Sequence, residues 1–382
     1  MPLKLIRPPA PRKWILSAFL LAGLCFLLAR VPAVKSAYRA VKGKIEFKIA
    51  LRSAQRGDAE SQLNVGKMLE DGVKVPKDLN QAVVWYRKAA EQGNFKAQVQ
   101  IGLLFFTQNQ FDEASKWISE AAQKGDVESQ YLLAGLYDKG LGVEQSYGKS
   151  AQWLRQAAEK GHMESQHALG VLFLDGRGMP RNYPEAAKWF HASAEIGHVG
   201  SQYNLGLFYD RGLGVKRNPA EAAKWFEKAA DQGDADSQFQ MALKYDKGDG
   251  VAQSYEQSAK WYEKAAQQGF NQAQYNLGNR YFRGQGVKQD FKQAAQWYQQ
   301  AAEQGLPRAQ YELALMYGKG QGVPTNLVEA YKWLVLAQMQ GHEEADAVVN
   351  KIGPAMPADK LAEAEKQALQ FLKKAAGRSD VK

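Results

Sequence analysis

Tryptophan returns along this chain at Trp85, Trp117, Trp153, Trp189, Trp225, Trp261, Trp297 and Trp333, with one gap of 32 residues and then six of 36. Glycine keeps the same beat from Gly57 to Gly341, and glutamine keeps it from Gln62 to Gln310. Three in-phase series over eight periods define a tandem array. Each period is one small unit that cannot bury its own apolar face, so the core must form by stacking neighbours.

The period from Gly197 to Gly233 shows how a unit folds. Ser201, Leu205 and Tyr209 lie at i, i+4 and i+8, one stripe of a first helix. Gly206 weakens that helix and fits a position where a neighbour approaches closely. Gly212 ends the helix, being able to adopt positive φ. Asn218 then starts a second helix, with Pro219 at the first helical position and Glu221 three residues on, a capping box. That helix runs through Ala222, Trp225, Phe226 and Ala229 and stops at Gly233. The start signal recurs as Asp78 with Gln81, Asn182 with Glu185, Ser254 with Gln257, Asp290 with Gln293, and Asn326 with Glu329. Ser146 followed by Lys149 breaks the box, and Thr107–Gln110 replaces the glycine loop in the short second unit.

These residues carry a family resemblance. The pattern [AS]-Q-x-x-[LIVM]-[GA]-x-x-[YF]-x-x-G-x-G-V, followed by A-x-x-W-[YFL]-x-x-A-A-x-x-G, resembles the Sel-1-like repeat, a relative of the tetratricopeptide repeat, over residues 57–341. The resemblance implies an all-α, right-handed α-solenoid of eight helix-turn-helix repeats whose concave face scaffolds protein complexes, often in secretory or envelope compartments. Some cysteine-rich relatives are linked to β-lactam chemistry; this chain has one cysteine, Cys25, so that does not carry over.

Both ends look capped. Ile49–Gly57 aligns with Trp85–Gly93, so residues 35–56 form a basic segment ending in a lone second-type helix. At the other end, residues 342–382 hold a degenerate ninth unit, where Ala345–Asp346 replaces the Ala/Ser–Gln pair. Pro354 and Pro357 break the chain, and a final helix offers Leu361, Ala364, Ala368, Leu369 and Leu372 to the last repeat.

The formal charge of +10 is confined to the N-terminus: residues 1–56 hold twelve Lys and Arg against Glu46, while the remainder has 38 basic and 39 acidic residues. A balanced array lacks the broad basic face of a nucleic-acid binder, so no nucleic-acid partner is expected. After the basic tail of residues 1–13, Trp14–Ala29 is free of charge. Extended to Val34 it is long enough for a membrane helix over residues 14–34. An uncleaved signal anchor is preferred, and a cleaved signal peptide with its cut near Ala33 or Ser36 stays open. Arg7, Arg12 and Lys13 argue for export of the repeats, whereas Arg30, Lys35, Arg39, Lys42, Lys44 and Lys48 argue the reverse. The expectation is a membrane-anchored chain with its repeats on the extracytoplasmic (periplasmic) side and its second basic cluster near anionic lipid headgroups.

Signals for chemistry are weak. The loops DKGLGV and DRGLGV lack both the Gly-Lys-Ser/Thr of a phosphate loop and the alternating acids of a calcium loop. His162 and His167 are five residues apart and do not share a helical face as an HExxH pair does. The tryptophans read as core and the phased glutamines as bridges between backbone groups. No catalytic, metal or cofactor site is expected, and the chain reads as a non-enzyme.

Binding points to the first helices, which line the groove in tetratricopeptide-like solenoids. The two positions after each phased glutamine carry aromatics and amides. From these Asn64, Gln100, Tyr203, Asn204, Gln240, Tyr275, Asn276 and Tyr311 are expected to hold a protein or extended peptide, with Lys244 and Arg280 as anion contacts. The function expected is a membrane-tethered scaffold or adaptor. Two alternatives are an envelope protein associated with peptidoglycan or polysaccharide enzymes, and a cytoplasm-facing chaperone-like adaptor.

Overall fold

The computed structural model describes residues 32–379, and among them every regular element is helical. They form two compact units, one ending at His162 and one beginning at Met163. The first contains α1 (Pro32–Gln55), α2 (Ala59–Asp71), α3 (Leu79–Glu91), α4 (Phe95–Thr107), α5 (Phe111–Gln123), α6 (Val127–Lys139) and α7 (Tyr147–Glu159). The second begins with α8 (Met163–Asp175), α9 (Tyr183–Glu195), α10 (Val199–Arg211), α11 (Pro219–Asp231), α12 (Ala235–Lys247) and α13 (Tyr255–Gln267). It continues with α14 (Asn271–Arg283), α15 (Phe291–Glu303), α16 (Pro307–Lys319), α17 (Leu327–Gln338), α18 (Glu343–Ile352), a 3-10 turn over Gly353–Ala355, and α19 (Ala358–Ser379). Within each unit every helix up to α18 packs on the one before it, the nearest-neighbour pattern of an α-solenoid. The final helix α19 packs instead on α17.

The helix boundaries follow from capping. Second helices start where Asp78, Asn182, Asn218, Ser254, Asp290 and Asn326 each accept the N–H three residues on. Ser146 also caps its helix, accepting from Lys149 N–H at 3.3 Å despite the broken box. First helices are capped by Asp58, Asn94, Asp126 and Asp234, and in two cases by histidine. His198 Nδ1 accepts from Ser201 N–H at 3.0 Å, and His342 Nδ1 accepts from Ala345 N–H at 3.3 Å. In the short second repeat Asn109 supplies the positive φ (58°) that glycine supplies elsewhere.

Two glycines show why the period is strict. A Cβ on Gly206 would lie 2.7 Å from the Phe226 ring, so α10 and α11 close on each other only through hydrogen. A Cβ on Gly250 would lie 2.1 Å from the Pro219 carbonyl oxygen of the preceding repeat, on a backbone held at φ 82°. The remaining core is alanine and aromatic: Ala222, Phe226 and Ala229 on α11 and Ala265 on α13 are fully buried.

The phased glutamines bridge second helices. Gln202, Gln238, Gln274 and Gln310 each donate to the carbonyl eight residues earlier, Ala194, Ala230, Ala266 and Ala302, at 3.1–3.2 Å. Their oxygens accept from Gln232, Gln268, Gln304 and Gln340 at 2.7–3.0 Å. Gln62 and Gln98 do the same in the first unit. Each of these six buried amides is satisfied on both atoms, which is how polar side chains persist inside a core.

The expected membrane location is corrected. The proposed span over 14–34 lies outside the described residues except for Pro32–Val34, and these open α1. That helix carries Lys35, Arg39, Lys42, Lys44, Glu46 and Lys48, too many charges for a bilayer interior. Among the described residues no helix is long and apolar enough to cross a membrane. Membrane anchoring, and the headgroup contact that depended on it, are not supported. At the C-terminus Ala364 and Ala368 are buried as expected, but Leu369 faces solvent.

Candidate functional site

Burial divides each first helix into two faces. In α10, Ser201, Gln202, Leu205 and Gly206 are buried, and Asn204, Leu207 and Arg211 fall together on the opposite stripe. The same stripe reads Gln240, Leu243, Lys247 in α12, Asn276, Asn279, Arg283 in α14, and Glu312, Leu315, Lys319 in α16.

The amides on this stripe differ from the glutamines two residues before them. Gln238 spends its donor and its acceptor inside the repeat stack, whereas Gln240 makes no side-chain hydrogen bond within the described residues. Asn204 and Asn276 are likewise half-buried and uncommitted. In the first unit Asn64 is exposed and Gln100 half-buried, and neither is hydrogen-bonded there.

The aromatics serve the core on one side and the stripe on the other. Tyr203, Phe239 and Tyr275 sit 5.8 Å from the rings of Phe226, Tyr262 and Tyr298, and Tyr311 stacks on His342 at 4.7 Å. Burial raises the phenol pKa of Tyr203 and Tyr311, so both remain neutral hydroxyls at physiological pH. A cavity of about 530 Å³ is lined by Phe239, Tyr275, Asn276, Leu306, Arg308 and His342. Tyr275, Arg308 and His342 also line a second cavity of about 470 Å³ with Tyr311 and Glu312. Tyr275, Asn276 and Tyr311 therefore converge. Burial raises the Glu312 carboxyl, opposed by the nearby charges of Arg283, His342 and Lys319.

Lys244 and Arg280 do not present free charge, contrary to expectation. Lys244 is 4% exposed and pairs with Asp210 at 2.7 Å and Asp249 at 3.1 Å. Arg280 pairs with Asp246 at 2.5 Å, which also accepts from the Tyr262 hydroxyl. Both residues reach back to the preceding repeat rather than to solvent, so they brace α12 to α10 and α14 to α12.

The histidines form a pair of rings rather than a metal cluster. His167 and His198 stack at 4.2 Å, and the Nδ1 of His167 lies 2.9 Å from the Ser201 hydroxyl. Burial, helped by the neighbouring His198, lowers the His167 pKa to about 4. Among the described residues no group of three or more His, Cys, Asp or Glu is placed to hold a metal.

Sequence reasoning missed the histidine caps and Arg308. The capping role was available as a signal, since His162, His198 and His342 share the slot held elsewhere by Asp58, Asp126 and Asp234.

Comparison with known proteins follows the same periodicity. The Sel1 repeat model matches residues 59–94, 127–162, 164–198, 199–234, 235–270, 271–306, 307–342 and 363–380. The fold is similar to the crystal structure of a Sel1 repeat protein from Oxalobacter formigenes, at 32% identity and a TM-score of 0.64, covering 80% of this chain and 89% of that one. It is also similar to a protective antigen of uropathogenic Escherichia coli strains displaying an SLR fold, at 28% identity and a TM-score of 0.54, covering 87% and 95%. The DAP3-binding cell death enhancer 1 of Rattus norvegicus is 32% identical over 143 residues, 27% of this chain and 28% of that protein. The chain thus spans little more than a quarter of that curated relative.

Proposed function

We propose, from the premise that the chain belongs to the Sel1 repeat family, that it is an interaction scaffold whose first helices hold an extended segment of a partner protein. Proteins built from these repeats are generally protein-interaction scaffolds, and the rat relative is itself named for binding another protein.

One observation carries the reading for this chain. Asn204, Gln240 and Asn276 recur at one position of α10, α12 and α14 with both amide atoms uncommitted, two residues after glutamines whose hydrogen bonds are spent inside the stack. Half-buried, unpaired amides are costly to leave dry and well suited to the N–H and C=O groups of an extended chain. The neighbouring tyrosines and Phe239 offer rigid apolar surface for its side chains. The role is binding, with no catalytic group assigned.

Replacing both Asn204 and Asn276 by alanine tests this. The double variant should keep its thermal unfolding midpoint and lose co-precipitation of the partner that the unmodified chain recovers. Undiminished recovery would count against this face.

A further inference from the structure

The stripe that carries the amides ends, in four successive repeats, on a cation: Arg211, Lys247, Arg283 and Lys319, spaced by 36 residues and all exposed. None of the four makes an ion pair or side-chain hydrogen bond within the described residues. They differ in this from Lys244 and Arg280, whose charges are neutralised inside the stack.

A cation in the last turn of a helix gains from the helix dipole, which alone explains one such residue. The slot itself does not demand it, because Asp71, Thr107 and Asp175 occupy the equivalent position in other repeats. The charge is thus concentrated at the C-terminal end of the stripe that carries the uncommitted amides, while Arg308 lies toward its other end and lines both cavities. Counting Arg308, the solvent-facing stripe of α10, α12, α14 and α16 holds five cations, against the carboxylates of Asp236 and Glu312.

We infer that this face takes an acidic segment of a protein in extended form, its backbone on the amides and its carboxylates on the edge formed by Arg211, Lys247, Arg283 and Lys319. The inference rests on the amide-groove reading above and adds the chemistry of the partner. Successive first helices are linked by side-chain ion pairs, Lys244 to Asp210 and Arg280 to Asp246, and an extended chain advances about 3.3 Å per residue. A carboxylate at about every third residue, a step of about 10 Å, is therefore within reach of successive long cationic side chains. Glu312 is the one residue of the amide series with the wrong charge for such a ligand. It marks the end at which binding is weakest.

The test uses the full chain and a fluorescent peptide of six Glu-Gly-Ser triplets, followed by anisotropy. A peptide of six Gln-Gly-Ser triplets and a thymidine oligonucleotide of equal length serve as comparisons. The acidic peptide should bind best and weaken as salt is raised. The R211Q/K247Q/R283Q/K319Q variant, its fold checked by circular dichroism, should lose about fourfold or more in affinity, the sum of four exposed charge contacts. Glu312→Gln should tighten binding by about two- to threefold on the same basis.

Equal binding of the Gln peptide, preference for the oligonucleotide, binding unaffected by the fourfold variant, or no binding at all would each overturn the acidic-partner inference. Acidic-peptide binding that is lost in the fourfold variant yet survives Asn204→Ala with Asn276→Ala would uphold the cationic edge and sink the amide groove. The two readings therefore fail separately.

Discussion

Gln238 donates its side-chain N–H to the Ala230 carbonyl at 3.1 Å, joining α12 to the last turn of α11. Its oxygen accepts from Gln268 at 2.8 Å, so one amide ties three helices. Gln238→Ala removes both side-chain bonds, leaving the Ala230 carbonyl with only its backbone donor Gly233 and the Gln268 amide without its acceptor, at a cost of about 0.5–1.5 kcal/mol per bond. Gln238→Glu keeps the shape but loses the donor and adds charge, and should be worse. Urea unfolding of both variants checks the order, and an unmoved midpoint for either would contradict the bridging role.

Glycine substitutions inside first helices should split by location. Gly206→Ala places a methyl 2.7 Å from Phe226, and overpacking of this kind costs about 1–3 kcal/mol, outweighing the better helix propensity. Gly135→Ala in α6 meets nothing within 4 Å and should gain about 0.5–1 kcal/mol. Thermal melts of the two variants should move in opposite directions.

Lys244 is a brace, so its removal should be felt in stability and not in binding. Lys244→Ala strands Asp210 and leaves Asp249 only its longer pairing with Arg217 at 3.5 Å, at a cost on the order of 2 kcal/mol, below the figure for a fully buried pair because both carboxylates keep about a third of their surface in solvent. Partner capture by the folded variant should match the parent chain. A selective loss of capture would return Lys244 to the binding face.

His167 makes the second unit sensitive to mild acid. Its folded pKa, about 4, lies below the ordinary value of 6.5, so between these values the unfolded chain takes up a proton that the folded chain refuses. The contribution is fully present above pH 6.5 and is lost as pH falls toward 4. Discounted for partial exposure it is on the order of 1 kcal/mol, or about 2–4 °C in melting temperature. His167→Phe should flatten the fall in melting temperature between pH 7 and pH 5. An unchanged slope would contradict the burial argument.

Much of the fold was legible because its devices repeat. Asn218, Pro219 and Glu221 announce a helix start by local chemistry, and the 36-residue recurrence of Trp225 or Gln238 requires stacking. The core role of the glutamines followed from the same regularity. What escaped depends on partners distant in sequence. Lys244 looked like a free cation until Asp210, 34 residues earlier, was found beside it. The caps at His198 and His342 escaped because a histidine cap has no widely shared motif. The membrane expectation rested on Trp14–Ala29, outside the described residues, and the end of the expected span, Pro32–Val34, opens a charged helix. The cationic edge was legible, since Arg211, Lys247, Arg283 and Lys319 keep the common period.

The central claim is that partners are held on the first-helix stripe. A photo-crosslinking residue placed at Asn204, at Asn276, or at Glu227 on the exposed side of α11 tests it most directly in cells. Adducts to a partner protein should form from Asn204 and Asn276 and be absent from Glu227. Adducts from Glu227 alone, or equally from all three sites, would contradict the account.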